Sequence, residues 1–285
     1  MRETLELRVA EEEAWRCFRA DEGVRLGEHV RKVVLPLADE RLPRIHEINE
    51  ALRKKGRSLF WGWRVHRRYS EKELQAAELF KLWPSATFEP SGEECGTEYD
   101  ESVGCPECGA GARQVSDLVL DLRRAPKGAA MARTLADELI ISAPLAEEMR
   151  ARGLRGADFR PVRQAGKKGT VSSDWFQLAV SARPVEVVEP TVTGVDPFDR
   201  DAHGASRCPR GDLMGQNLLS ELFVARGSYD GSDWTCTRQQ FGLRRKGPDS
   251  GVLRPAPYLL ISPTLRGLLV ERRVRRLELE VAHLV

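Results

Sequence analysis

The sequence predicts an α+β fold of mixed sheets with short helices. An internally duplicated body carrying a cysteine knuckle follows a helix-rich N-terminal region. Three observations predict it. An apolar strand leading into a serine–proline helix start occurs twice, as LIISAPL at 139–145 and LLISPTL at 259–265, an offset of 120 residues. A Cys-Pro pair precedes each copy, at Cys105-Pro106 and Cys208-Pro209. Ahead of both, residues 43–56 and 71–83 have helical spacing or helix-start signals.

Composition sets the frame. The chain has 285 residues, 41% hydrophobic and 31% charged, as expected of a globular protein with a sizeable core. No apolar run approaches the roughly 20 residues of a membrane helix, and the first 15 residues are too charged for a signal-peptide core. Six cysteines in this length do not make a disulfide scaffold. A cytoplasmic protein that does not act on membranes is expected.

In the N-terminal region, residues 1–88, Thr4 to Ala10 reads as a strand or a helix start, and residues 11–19 as helix. Ile45, Ile48 and Leu52 mark one face of a helix that stops at Gly56. Leu59, Trp61, Trp63 and Val65 then alternate as one buried strand face. Ser70 and Glu73 form a capping-box pattern that opens a helix over 71–83, closed by Pro84. Residues 51–70 hold seven Lys/Arg and no acid, with Phe60, Trp61, Trp63 and Tyr69 among them. Arg64, Arg67 and Arg68 are the candidate partner-binding residues. The plain reading is a half-buried strand with a solvated basic face. The alternatives are a surface for nucleic acid or an acidic protein, or neutralisation by the acid run at 89–101.

Cys105-Pro106-Glu107-Cys108-Gly109 is the sharpest motif. Two thiolates two residues apart on a tight turn can face one ion, a zinc-knuckle-like element. One pair is half a structural site. The other half is Cys208-Pro209-Arg210-Gly211, with glycine where a second cysteine belongs. The expected metal ligands are Cys105, Cys108, Cys208 and His203, holding a structural zinc. Cys95, Cys236, Asp212 and water are the other candidates for the fourth position. Free buried thiols are the competing reading, and a redox dithiol the weakest, since the motif does not open a helix.

Each half then reads as knuckle, strand, variable insert and strand–helix–strand, over 89–190 and 191–285. Ser142 and Ser262 are the expected N-caps. Residues 158–174, with Gly166-Lys167-Lys168-Gly169, read as a loop. Asp196, Asp199, Asp201 and His203 read as a solvated acidic loop, with a divalent-ion site as the alternative. Walker, zinc-protease, nucleophile-elbow and dinucleotide motifs are all absent, so a non-enzymatic protein is expected.

The C-terminal third, with GQNLLSEL at 215–222, LRP at 253–255, YLLIS at 258–262 and LELEVAHL at 277–284, resembles the myxobacterial double-CXXCG motif family. Cys105, Cys108 and Cys208 match three cysteines of that motif, and Gly211 departs from it. The resemblance implies an immunity protein that binds and neutralises a cognate protein toxin. A zinc-containing nucleic-acid-binding protein, using the basic stretch and the arginines at 272–276, is the alternative.

Overall fold

The computed structural model describes residues 1–166, 170–201, 203–245 and 251–285. Strand accounts for 37% of the described residues and helix for 18%, so the protein is mostly β. It divides into two compact units: residues 1–74 with 196–200, and residues 75–195 with 201–285.

The first unit corrects the helix-rich expectation. Its elements are β1 (Arg2–Ala10), α1 (Glu11–Ala14), β2 (Val24–Arg25), β3 (Val30–Pro36), α2 (Leu42–Arg53) and β4 (Phe60–Arg68). The strands form one antiparallel sheet in the order β2-β3-β1-β4. Alternation decides this. Leu5, Leu7 and Val9 of β1 and Val33 and Leu35 of β3 are buried on one face. Each such side chain contributes about 1.5–3 kcal/mol of burial, which outweighs weak helix propensity. The helix expected over 11–19 is therefore only one turn. α2 forms as expected, burying Ile45, Asn49 and Leu52, and Asn49 Oδ1 accepts the amide of Leu59 at 3.2 Å.

The capping box also forms. Glu73 accepts from Ser70 N at 2.7 Å, and Ser70 Oγ accepts from Glu73 N at 3.3 Å. It opens a helix, α3 (Glu71–Ala76), that ends long before Trp83. Leu79 to Pro84 is a sheet strand instead, because Leu79, Phe80 and Leu82 are all needed in a core further along the chain.

The second unit contains β5 (Leu79–Pro84), β6 (Thr87–Phe88), β7 (Tyr99–Asp100), β8 (Arg113–Gln114), β9 (Leu118–Leu120), β10 (Met131–Thr134), β11 (Leu139–Ser142), α4 (Ala143–Ala151), β12 (Ala157–Gln164) and β13 (Val171–Val180). There follow β14 (Thr193–Gly194), β15 (Leu213–Met214), β16 (Asn217–Leu218), β17 (Leu222–Val224), β18 (Trp234–Gly242), β19 (Ala256–Ile261), α5 (Pro263–Glu271) and β20 (Leu277–Leu284). Two six-stranded sheets result, in the orders β6-β10-β11-β13-β12-β9 and β15-β18-β19-β5-β20-β17. The loop expected over 158–174 is mostly a β-hairpin, β12 to β13, and positions 167–169 within it lie outside the described residues.

Apart from the edge strands β6 and β15, which come from opposite sides of their knuckles, the two sheets match strand for strand, down to register. Met131 opposes Ile141 as Trp234 opposes Ile261. Leu118 opposes Val162 as Leu222 opposes Ala282. The central strand comes from an unexpected place. In the first sheet it is β13, with Phe176 opposite Ile141 and Pro161. In the second it is β5, with Phe80 opposite Ile261 and Val281. Each repeat thus begins one strand earlier than its knuckle, and the two leading strands are exchanged. Neither sheet is complete without a strand from the other copy. The ends of the two helices also meet reciprocally: Arg152 pairs with Glu271 at 2.9 Å and Arg272 with Glu148 at 2.5 Å.

Ser142 and Ser262 both occupy N-cap positions. Only Ser262 makes the cap, its Oγ accepting from Leu265 N at 3.1 Å while donating to Asp233 Oδ1 at 2.7 Å. Ser262→Ala is therefore expected to lower stability by about 1 kcal/mol, and Ser142→Ala by a few tenths. Equal losses in urea unfolding would contradict the difference in capping. After each helix the chain turns through left-handed backbone, at Gly153 and Gly156 in the first copy and at Arg273 and Arg276 in the second. For an arginine that conformation costs about 1–2 kcal/mol.

Candidate metal centre

The knuckles are brought together by the second sheet. β7 and β8 pair at Tyr99–Gln114 and Asp100–Arg113, which closes the base of the first knuckle loop. Leu213 bridges Arg207 and joins β18, which does the same for the second. The end of β18 and the residues after it touch both. Gln240 N donates to Asp212 Oδ1 at 3.2 Å, and Gln240 Oε1 accepts from Gly111 N at 3.1 Å. Arg245 N donates to the carbonyl of Cys108 at 3.0 Å. Arg245 is buried and pairs with Glu93 and Glu101 at 2.7 and 2.8 Å.

Cys105, Cys108 and Cys208 are buried together, with all three Sγ atoms within 4.8 Å of one another. Thiolates around a tetrahedral ion stand about 3.8 Å apart, so the trio needs little rearrangement to hold one. Ala110 and Met214 complete an apolar shell.

Burial acts to raise all three thiols. It prevails at Cys108, pushed up to about 12, and at Cys208. At Cys105 the amides of Glu107 and Cys108 and the two neighbouring thiols outweigh it, and the thiol lies below its ordinary value. Amides aimed at sulfur are what a thiolate ligand requires. These three cysteines could hold a metal ion, which would displace their remaining protons.

The structure unites three of the four expected ligands. His203 is exposed and is not part of the cluster. Cys95 sits half-buried in a 3-10 turn, and Cys236 lies in β18 with its thiol pushed up to about 11 by burial. Among the described residues the thiol trio is the one group placed to hold a metal. The acidic loop does not gather around an ion. Asp196 pairs with Arg53 at 2.9 Å, while Asp201 accepts from Gln216 Nε2 at 2.5 Å.

The basic stretch departs from its alternation at one residue, and its three candidate arginines do not share a face. A bulge in β4 falls at Trp61, between the pairs Val9–Phe60 and Arg8–Gly62, and leaves Trp61 61% exposed. The period-two reading fails there because a bulged residue has no partner opposite it. Arg67 is only 8% exposed and pairs with Glu3 at 2.9 Å. It shares the inner face with Val65, so it does not project with Arg64 and Arg68. Neutralisation does occur, with other partners than expected. Arg57 pairs with Glu13 and Arg53 with Asp196, whereas Glu93 and Glu101 take Arg245 and Arg254.

The other basic residues of β4 lie on the outer face of the N-terminal sheet. Cross-strand register places Arg2, Arg8, Lys32, Arg64, His66 and Arg68 on it, with Thr4, Val24 and Val34. Glu6 is the one carboxylate on this face, and it contacts His66 at 3.1 Å and Arg8 at 3.7 Å. On its β2–β3 side Val34 and Val24 are 49% and 59% exposed.

Of the alternative fourth ligands read from the sequence, Asp212 lies beside Cys208, four residues from it, whereas the arm at 240–245 carries no motif that marks it. Among the described residues no helix is long and apolar enough to cross a membrane. No protein-family model matches the chain, and no curated protein matches it.

Proposed function

We propose that this is a non-enzymatic binding protein that neutralises a cognate protein toxin, acting in the cytoplasm through affinity rather than turnover. The outer face of the N-terminal sheet carries this reading. Five Lys/Arg and a histidine surround a single carboxylate there, with exposed Trp61 in the same edge strand. A surface of that charge suits an acidic protein, and an exposed aromatic can anchor it. The double-CXXCG resemblance supplies the class of partner. The thiol trio is read as a structural zinc site, since zinc favours buried, closed thiolate sets.

A nucleic-acid partner is the lesser reading. Arg53, Arg57, Arg67 and Arg272 already have carboxylate partners within the chain, which leaves fewer cations for phosphates.

The test reverses Arg64 and Arg68 to glutamate and leaves Arg67 intact, because Arg67 belongs to the fold. The partner is sought as a toxic protein encoded beside this gene; cells making it should lose protection, and association of the purified pair should slow by about tenfold or more, whereas absence of any such gene would count against the reading. Circular dichroism should be unchanged. Full protection by the double variant would exclude this face. Tight, steeply salt-dependent binding of single-stranded nucleic acid by the parent protein would favour the lesser reading instead.

A further inference from the structure

We infer that the second knuckle is shorter than the first by one residue, and that the carboxylate of Asp212 takes the place of the missing thiolate as fourth metal ligand. This rests on the reading of the thiol trio as a metal site.

The backbone shows the contraction. In the first knuckle Cys105 N donates to Ala110 O and Gly109 N donates to Cys105 O, each at 2.8 Å. In the second, Cys208 N donates to Asp212 O at 3.0 Å and Gly211 N to Cys208 O at 2.8 Å. Every bond closes over one residue fewer. Gly109 and Gly211 both have left-handed backbone, with φ of 75° and 80°. Gly211 therefore corresponds to Gly109 and is not a cysteine replaced by glycine. Asp212 corresponds to Ala110, and the residue that is gone is the second cysteine.

Asp212 stands where that loss is felt. It is 5% exposed, and its Oδ2 accepts from Cys208 Sγ at 3.3 Å; like His203 it stands outside the trio itself, so binding an ion requires its carboxylate to swing from Cys208 toward the other two sulfurs. A sulfur and an oxygen bound to one tetrahedral zinc are about 3.6 Å apart. Its Oδ1 is held by Gln240 N. Among the described residues no basic side chain pairs with it. Its two oxygens thus have one hydrogen-bond donor each but no opposite charge, and a buried carboxylate without a cation beside it gains from one. A divalent ion among the three sulfurs, with Asp212 turned toward it, meets that need and closes a site of three sulfurs and one oxygen. The first knuckle has only the methyl of Ala110 at this position, because its own second thiolate does the work.

The test uses cobalt(II) as the probe, added under reducing conditions to the full-length protein after chelation. The parent should bind one equivalent, with thiolate-to-cobalt absorption of three sulfurs. Asp212→Asn should bind about tenfold or more weakly and shift the visible ligand-field bands, while absorption per metal from the three thiolates stays the same. Inserting a cysteine between Arg210 and Gly211 should restore the length of the first knuckle. It should raise that absorption by about one third, as a fourth thiolate joins three. Binding and bands unchanged by Asp212→Asn would overturn the role of Asp212. An inserted cysteine that adds no thiolate absorption would overturn the contraction, even if the Asn variant folds poorly. A parent protein that binds no cobalt at all would overturn the metal reading itself.

Discussion

Phe80→Ala should destabilise the second unit by about 3–5 kcal/mol, although Phe80 lies some 180 residues before the strands it supports. Its side chain is fully buried in β5, opposite Ile261 and Val281, with the guanidinium of Arg266 5.2 Å above the ring. Removing the ring opens a cavity in the middle of the second sheet, where strands on both sides prevent collapse. The duplication supplies an internal control. Phe176 holds the equivalent place in β13, opposite Ile141 and Pro161, but is only half-buried. Phe176→Ala should cost less than half as much, because less area leaves water. Urea unfolding of the two variants decides it. Equal losses, or a loss below about 1 kcal/mol for Phe80→Ala, would show that β5 is not the centre of that sheet.

With the proposed zinc in the thiol trio, Cys108→Ser should abolish metal binding and lower the melting temperature by at least about 10 °C. Structural zinc supplies on the order of 10 kcal/mol of apparent binding free energy in small zinc domains. In a unit of this size each 1 kcal/mol moves the midpoint by about 2–4 °C. Cys108 is fully buried and joins Cys105 to Cys208, so its loss breaks the link between the knuckles. The parent treated with a strong chelator should melt like the variant, and chelation should leave the variant unchanged. That pair of measurements separates loss of metal from loss of a small buried side chain. Parent protein purified without chelator and holding less than a tenth of an equivalent of zinc would refute the zinc site.

The first outcome turns on contacts that the sequence could not display. Leu79, Phe80 and Leu82 follow a helix start at Ser70, and in one dimension they extend that helix as readily as they form a strand. Their burial between β19 and β20 is a pairing across nearly the whole chain. The same holds for Trp61, whose place in an alternating run promised burial until a bulge removed its partner. Arg67, by contrast, is set apart from Arg64 and Arg68 by the alternation itself, which puts it with Val65 on the inner face, where it pairs with Glu3.

By itself the sequence determined the repeated strand–helix–strand units, the serine positions at their helix starts, the capping box at Ser70 and Glu73, and the three thiols that meet. These depend on interactions a few residues long, or on motifs whose chemistry restricts their partners. Only the tertiary structure decided which leading strand completes which sheet and which side chain stands beside the trio. A period of two gives a strand its faces but not its neighbours, and a cysteine pair states a need for ligands without naming them. Those choices are made by burial across long separations, where Phe80 finds Ile261 and Asp212 finds Cys208.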